Sequence, residues 1–173
     1  MVHPADHPLA NYTGGMTLSA PSRTVPDMSY LLTHSGHVLA TRMTAAFAEL
    51  GITPRAYCVL FHALEAERTQ AELAAFSDLD KTTMVATVDE LEKAGLAERR
   101  PSSTDRRARI IAVTAAGARA VEKGTHIADR VHREVLEELP AKQRDALVTA
   151  LTTLTEGILA TPVEAPVRRA RGR

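Results

Sequence analysis

At 173 residues the chain is long enough to bury one substantial core and short for two. Its 21 Lys and Arg balance 21 Asp and Glu, which excludes a globally basic protein and leaves any nucleic-acid contact to local segregation of charge. One cysteine excludes an intrachain disulfide, and no apolar run is long enough for a membrane span, so a cytoplasmic protein without membrane contacts is expected.

Residues 1–26 are rich in Pro, Gly, Ser, Thr and His and lack periodicity, which reads as a flexible N-terminal arm. A first helix is expected over residues 27–50. Leu31, Leu32, Ser35, Val38, Leu39, Ala46, Phe47 and Leu50 fall on one side of it, and Gly51 ends it. Thr53 and Pro54 open a second helix, because proline at the first helical position loses no needed donor. That helix turns Ala56, Val59, Leu60, Ala63 and Leu64 inward and ends near residues 65–68. Thr69 and Glu72 form a capping-box pattern for a short third helix, interrupted at Ser77 and Asp78. Asp78 tolerates the left-handed backbone that such a turn uses. Asp80 is an N-cap for a fourth helix, with the amides of Thr82 or Thr83 as donors. Met84, Thr87, Val88 and Leu91 share its inner face, and Gly95 closes it.

Two short apolar segments, residues 96–100 and 110–113, flank a polar loop at 101–107. Thr114 caps a long helix reaching about residue 139, and Pro140 separates it from a last helix bearing Leu147, Leu151, Leu154 and Ile158. Residues 161–173 form a basic C-terminal tail with Arg168, Arg169, Arg171 and Arg173. Helix, tight turn, helix and basic hairpin make a winged helix-turn-helix: mainly α, with a small β-wing. From Arg99 to Arg109 there are five Arg against one Asp, the local excess that phosphate binding needs. Arg106 is the best candidate to reach a minor groove. Ile127, Val131, Val135, Leu147, Leu151, Leu154 and Ile158 exceed what a small winged module covers, so a partner surface is expected on the long flanking helices.

The run DKTTMVATVDELEKAGLAERRPSSTDRRARIIAVTAAG, with TPRAYCVL upstream, resembles the MarR family of bacterial transcription regulators. The shared landmarks are a D-K-[ST]-T start, V-D-x-L-E-x-x-G-L, a D-x-R wing and a T-x-x-G exit, within a similarity spanning about residues 30–159. The resemblance implies a winged helix domain over residues 27–160. Its DNA-binding part would lie at about 54–113 and its dimerisation helices at about 27–50 and 114–160. It implies a ligand-responsive repressor of transcription, working as a homodimer on an inverted repeat in double-stranded DNA. DNA contacts would fall on Thr69, Gln70, Lys81, Thr82, Thr83, Val85, Ala86, Arg106 and Arg107, with Asp89 and Asp105 orienting the wing through Arg107. Val85 and Ala86 replace a polar residue and an Arg found in many relatives; small apolar side chains there could meet thymine methyls.

The family's effectors, small aromatic or anionic molecules, would meet Tyr30, His34, His37 and Tyr57, with His62 nearby. No cofactor is expected. A zinc-responsive alternative uses His34, His37, Cys58 and His62, two pairs at helical spacing. Against it, Cys58 reads more simply as a buried small hydrophobe, and His126 and His132 are six apart, too far to share a face well. Another alternative is a dimeric winged-helix interaction protein that does not read sequence. No Gly-rich phosphate loop, nucleophile elbow or catalytic acid pair supports an enzyme.

Overall fold

Residues 26–103 and 108–163 are described by a computed structural model, and they hold six α-helices and one antiparallel pair of strands. The expectations placed on the N-terminal arm, the C-terminal tail and the wing residues Asp105, Arg106 and Arg107 therefore lie outside the described residues. The chain divides into two units, residues 1–37 and 38–173.

In the first unit, helix α1 (Met28–Phe47) begins where the Asp27 carboxylate accepts the amide of Tyr30 at 3.1 Å. Residues 28–37 of this helix are exposed throughout, and the Tyr30 ring stacks on that of His34 with centroids 5.4 Å apart.

In the second unit, only Phe47 of α1 is buried. The expected helix to residue 50 stops three residues early: Ala48–Leu50 tightens into a 3-10 turn, and Gly51 leaves it at φ 72°. Helix α2 (Pro54–Glu65) starts as read, with the Thr53 hydroxyl accepting from the amide of Ala56. Helix α3 (Gln70–Phe76) has the complete capping box, and Asp78 takes the turn at φ 49°. Helix α4 (Lys81–Lys93) is capped by Asp80 through Thr83, and Gly95 follows it at φ 69°. Strands β1 (Ala97–Pro101) and β2 (Arg109–Val113) pair from Ala97↔Val113 to Pro101↔Arg109. On the far edge of β2, Thr69 forms a bridge with Ile110, and the Ile111 amide donates to the Arg68 carbonyl at 3.1 Å. The segment between α2 and α3 is thus a third, short support for the hairpin.

One core joins these elements: Ala56, Val59, Leu60, Ala63, Leu73, Met84, Val88, Leu91, Ala97, Ile111 and Val121. Leu64, expected inward, is 46% exposed, because the last turn of α2 runs past this core. Helix α5 (Ala115–Glu137), capped by Thr114, supplies Val121 and crosses the root of the hairpin at Gly117. A Cβ there would stand 2.0 Å from the Leu96 carbonyl oxygen, so only glycine permits the approach. Helix α6 (Ala141–Glu156) buries no residue at all. Among the described residues no helix is long and apolar enough to cross a membrane.

Candidate nucleic-acid interface

The two faces of α4 are sharply divided. Met84, Thr87, Val88 and Leu91 are buried, while Lys81, Thr82, Val85, Ala86 and Asp89 are exposed. The one buried polar side chain of that inner face, Thr87, is satisfied by donating to the Thr83 carbonyl at 2.8 Å. At the helix start, Asp80 accepts from the Thr83 amide at 2.9 Å and from the Thr83 hydroxyl at 2.6 Å. These bonds, the hydroxyl's first, hold the Asp80 carboxyl below its usual range. The Thr83 hydroxyl, one of the expected DNA contacts, is committed to Asp80; Lys81 and Thr82 are the outward groups of this turn. The Thr69 hydroxyl is similarly engaged with Glu72.

Arg99 joins the helix-turn-helix to the wing. Its guanidinium meets Asp89 at 2.7 Å, Glu92, and the Gln70 side-chain oxygen at 3.3 Å, and its amide donates to Glu92 at 2.8 Å. One side chain of β1 therefore ties together the start of α3 and the middle of α4. Read from the sequence, Arg99 belongs to the basic excess of the wing and Asp89 is a partner of Arg107, which lies outside the described residues. In the structure Asp89 is joined to Arg99. The turn at Gly95 folds β1 back along α4, so that Asp89 and Glu92, one helical turn apart, both reach Arg99. The signal was an acid pair at i, i+3 followed, past a left-handed glycine, by an arginine in the next strand. Glu67, which the sequence reading also passed over, accepts from Ser102 and Ser103 just past the end of β1.

The residues expected around an effector fall in both units. Tyr30, His34 and His37 line one shallow hollow with Asp27, Ser29 and Thr33. Tyr57 packs its ring between Phe47 and Phe61, at 5.1 and 5.9 Å, and shares a hydrogen bond of 3.1 Å with the Thr125 hydroxyl. His62 pairs with Glu65 at 3.0 Å, beside Arg68, whose guanidinium lies 4.3 Å over the Phe76 ring. Cys58 is half-buried rather than buried, with its thiol 3.7 Å from the Ser77 hydroxyl. Among the described residues, no three His, Cys, Asp or Glu side chains come together as a metal site would require.

Residues 50–108 match the model of the MarR family. CouR from Rhodococcus jostii RHA1, solved bound to p-coumaroyl-CoA, is 30% identical over 80% of this chain and 96% of its own, with a TM-score of 0.68. The transcriptional repressor CouR solved on a 23-mer DNA duplex matches at 28% identity over 74% of this chain and 92% of its own, with a TM-score of 0.67. The Mycobacterium tuberculosis MarR family protein Rv2887, in complex with p-aminosalicylic acid, is 26% identical over 75% of this chain and 98% of its own, with a TM-score of 0.64.

Proposed function

This chain belongs to the MarR family of DNA-binding transcriptional regulators, and from that premise we propose that it is a homodimeric repressor, bound to an inverted-repeat operator and released by a small aromatic, anionic effector. The observation that carries the DNA-reading part is the division of α4. Its inner face is locked into the core, so Lys81, Thr82, Val85 and Ala86 are presented on a rigid support. Lys81 suits a phosphate or a guanine edge, Thr82 either base type, and Val85 and Ala86 a thymine methyl. Arg106 and Arg107 supply the minor-groove and backbone contacts of the wing. Asp89 orients that wing, and the ion pair with Arg99 supports the role.

Dimerisation is supported by the apolar side chains left in water. Leu31 of α1 is 51% exposed and Leu147 of α6 41%, and Ile158, expected on the last helix but lying past its end at Glu156, is 84% exposed, whereas Val131 is 5% exposed. Surface of this extent on two helices fits a second copy of the chain. Two copies of α4 would then meet successive major grooves roughly 34 Å apart. Effector release is supported by the phenol and imidazole groups of Tyr30, His34 and His37, by Tyr57, and by the aromatic acyl-CoA and aromatic acid carried by the two liganded relatives.

A titration of duplex from the region immediately upstream of its own coding sequence tests the reading, with a scrambled duplex beside it. Preference for the first is expected, and Arg106→Ala should weaken binding to both and lower the salt dependence by about one or two contacts per dimer. Lys81→Ala and Thr82→Ala should instead change the preference. A monomer mass of 18.7 kDa by light scattering at micromolar concentration would end the dimer proposal. Ala86, where many relatives carry an Arg, favours one competing reading, a winged-helix interaction protein that does not read sequence. Equal affinity for the two duplexes would establish it.

A further inference from the structure

We infer that Glu67 is a positioning residue for the wing: from the link between α2 and α3 its carboxylate holds the chain at Ser102–Ser103 and sets the direction in which the basic loop leaves β1. The inference rests on the reading that this loop touches DNA.

One oxygen of Glu67 accepts three hydrogen bonds. They come from the Ser103 hydroxyl at 2.8 Å, the Ser103 amide at 3.1 Å and the Ser102 hydroxyl at 3.1 Å. Ser102 is also where the hairpin closes, its amide donating to the Ala108 carbonyl at 3.0 Å. The three donors therefore converge on the point where the ladder ends and the loop begins. The Ser103 bonds, and after them that of Ser102, hold the Glu67 carboxyl below its usual range, as expected when several donors prefer the charged acceptor.

The other end of this tether is firm. Arg68, next to Glu67, accepts from the Ile111 amide through its carbonyl, and its guanidinium reaches Glu65 at 2.9 Å and the His62 carbonyl. Thr69 then bridges Ile110 and caps α3. Glu67 is thus carried by backbone tied to β2 on one side and to α2 on the other, while its side chain reaches across to the end of β1. The nearby cation Arg100 is engaged with Glu98. Arg99 anchors the middle of β1 to α4 and Glu67 anchors its end, so two separate bonds fix the hairpin's tilt.

The sign of the effect separates positioning from plain charge. An acid beside a DNA-facing loop repels phosphate, so if Glu67 acted only through its charge, its removal would tighten binding. A tether predicts the reverse. The test uses the full chain, with duplex from immediately upstream of its own coding sequence and a random duplex of equal length. Glu67→Ala is expected to weaken both by about three- to ten-fold, the scale of one or two net hydrogen bonds. It should also speed hydrogen exchange at the Ser103 amide without DNA and leave the melting temperature unchanged. Glu67→Gln, which keeps an acceptor, should retain most of the affinity. Ser103→Ala should add nothing in the Glu67→Ala background. Equal or tighter binding by Glu67→Ala would overturn the proposal, as would an unchanged Ser103 exchange rate. Arg106→Ala measured alongside tells the two failures apart: if it too leaves affinity unchanged, the wing-contact reading has failed and the proposal goes with it.

Discussion

The reader portion, α2 to β2, and the outer helices α1 and α6 treat apolar side chains in opposite ways. In the first, Leu60, Leu73, Met84 and Val88 are wholly withdrawn from water, and each helix start has a side-chain cap. In the second, α6 has no buried residue and α1 has only Phe47. The reader portion closes its core with its own chain, so its order is an intramolecular property. The outer helices carry comparable apolar character that the described residues leave exposed, so in the proposed dimer their stability depends on a second copy and hence on concentration.

The same substitution placed in each region gives the largest contrast. Leu91→Ala opens a cavity in the closed core and is expected to cost about 2–5 kcal/mol. That lowers the melting temperature by about 4–20 °C, at 2–4 °C per kcal/mol for a chain of this size, independently of protein concentration. Leu151→Ala, on exposed α6, should instead shift the melting temperature by an amount that grows as concentration rises through the dimer range and then levels off. Calorimetry at two concentrations reads both, and a concentration-independent loss in Leu151→Ala would erase the contrast.

Gly117→Ala strikes the seam where α5 crosses the hairpin root. The added methyl meets a backbone oxygen that cannot rotate away, so a loss of about 2–3 kcal/mol is expected by denaturant titration. A neutral result would mean that α5 slides on the hairpin without penalty.

Asp89→Ala sharpens the comparison within the reader portion, between what packs and what aims. The pair with Arg99 is exposed, so its loss should cost at most about 1 kcal/mol in stability. DNA affinity should nevertheless fall several-fold, because β1 loses one of its bonds to α4. Normal affinity with a lowered melting temperature would reverse that assignment.

The smallest effect is on acid stability. Glu72 and Asp80, the capping acids, are held below their ordinary values of 4.5 and 3.8, chiefly by the Thr69 amide and the Thr83 hydroxyl respectively. Depressed carboxyls contribute stability that is fully present above the ordinary value and is lost as the pH falls through the folded one. Urea midpoints should therefore be flat above pH 4.5 and decline below it, and Glu72→Gln with Asp80→Asn should flatten the decline.

Local chemistry was legible wherever a few adjacent residues settle it. Thr69 with Glu72, Asp80 with Thr83, the left-handed Asp78 and Gly95, and the buried stripe Met84–Thr87–Val88–Leu91 all follow from spacing, because caps and helical faces are decided within one or two turns. Other features depended on distances that run through space. Arg99 finds Asp89 and Glu92 only because β1 folds back along α4, and Glu67 finds Ser102 and Ser103 across thirty-five positions of sequence. Leu64 carries the same apolar signal as Leu60 but lies past the edge of the core, and Gly117 is required by a carbonyl some twenty residues away. The sequence by itself determined which helices form and which face of α4 is free. The partners of the charged side chains were decided by tertiary structure, because an ion pair is specified by where two chain segments meet and not by the identity of either residue.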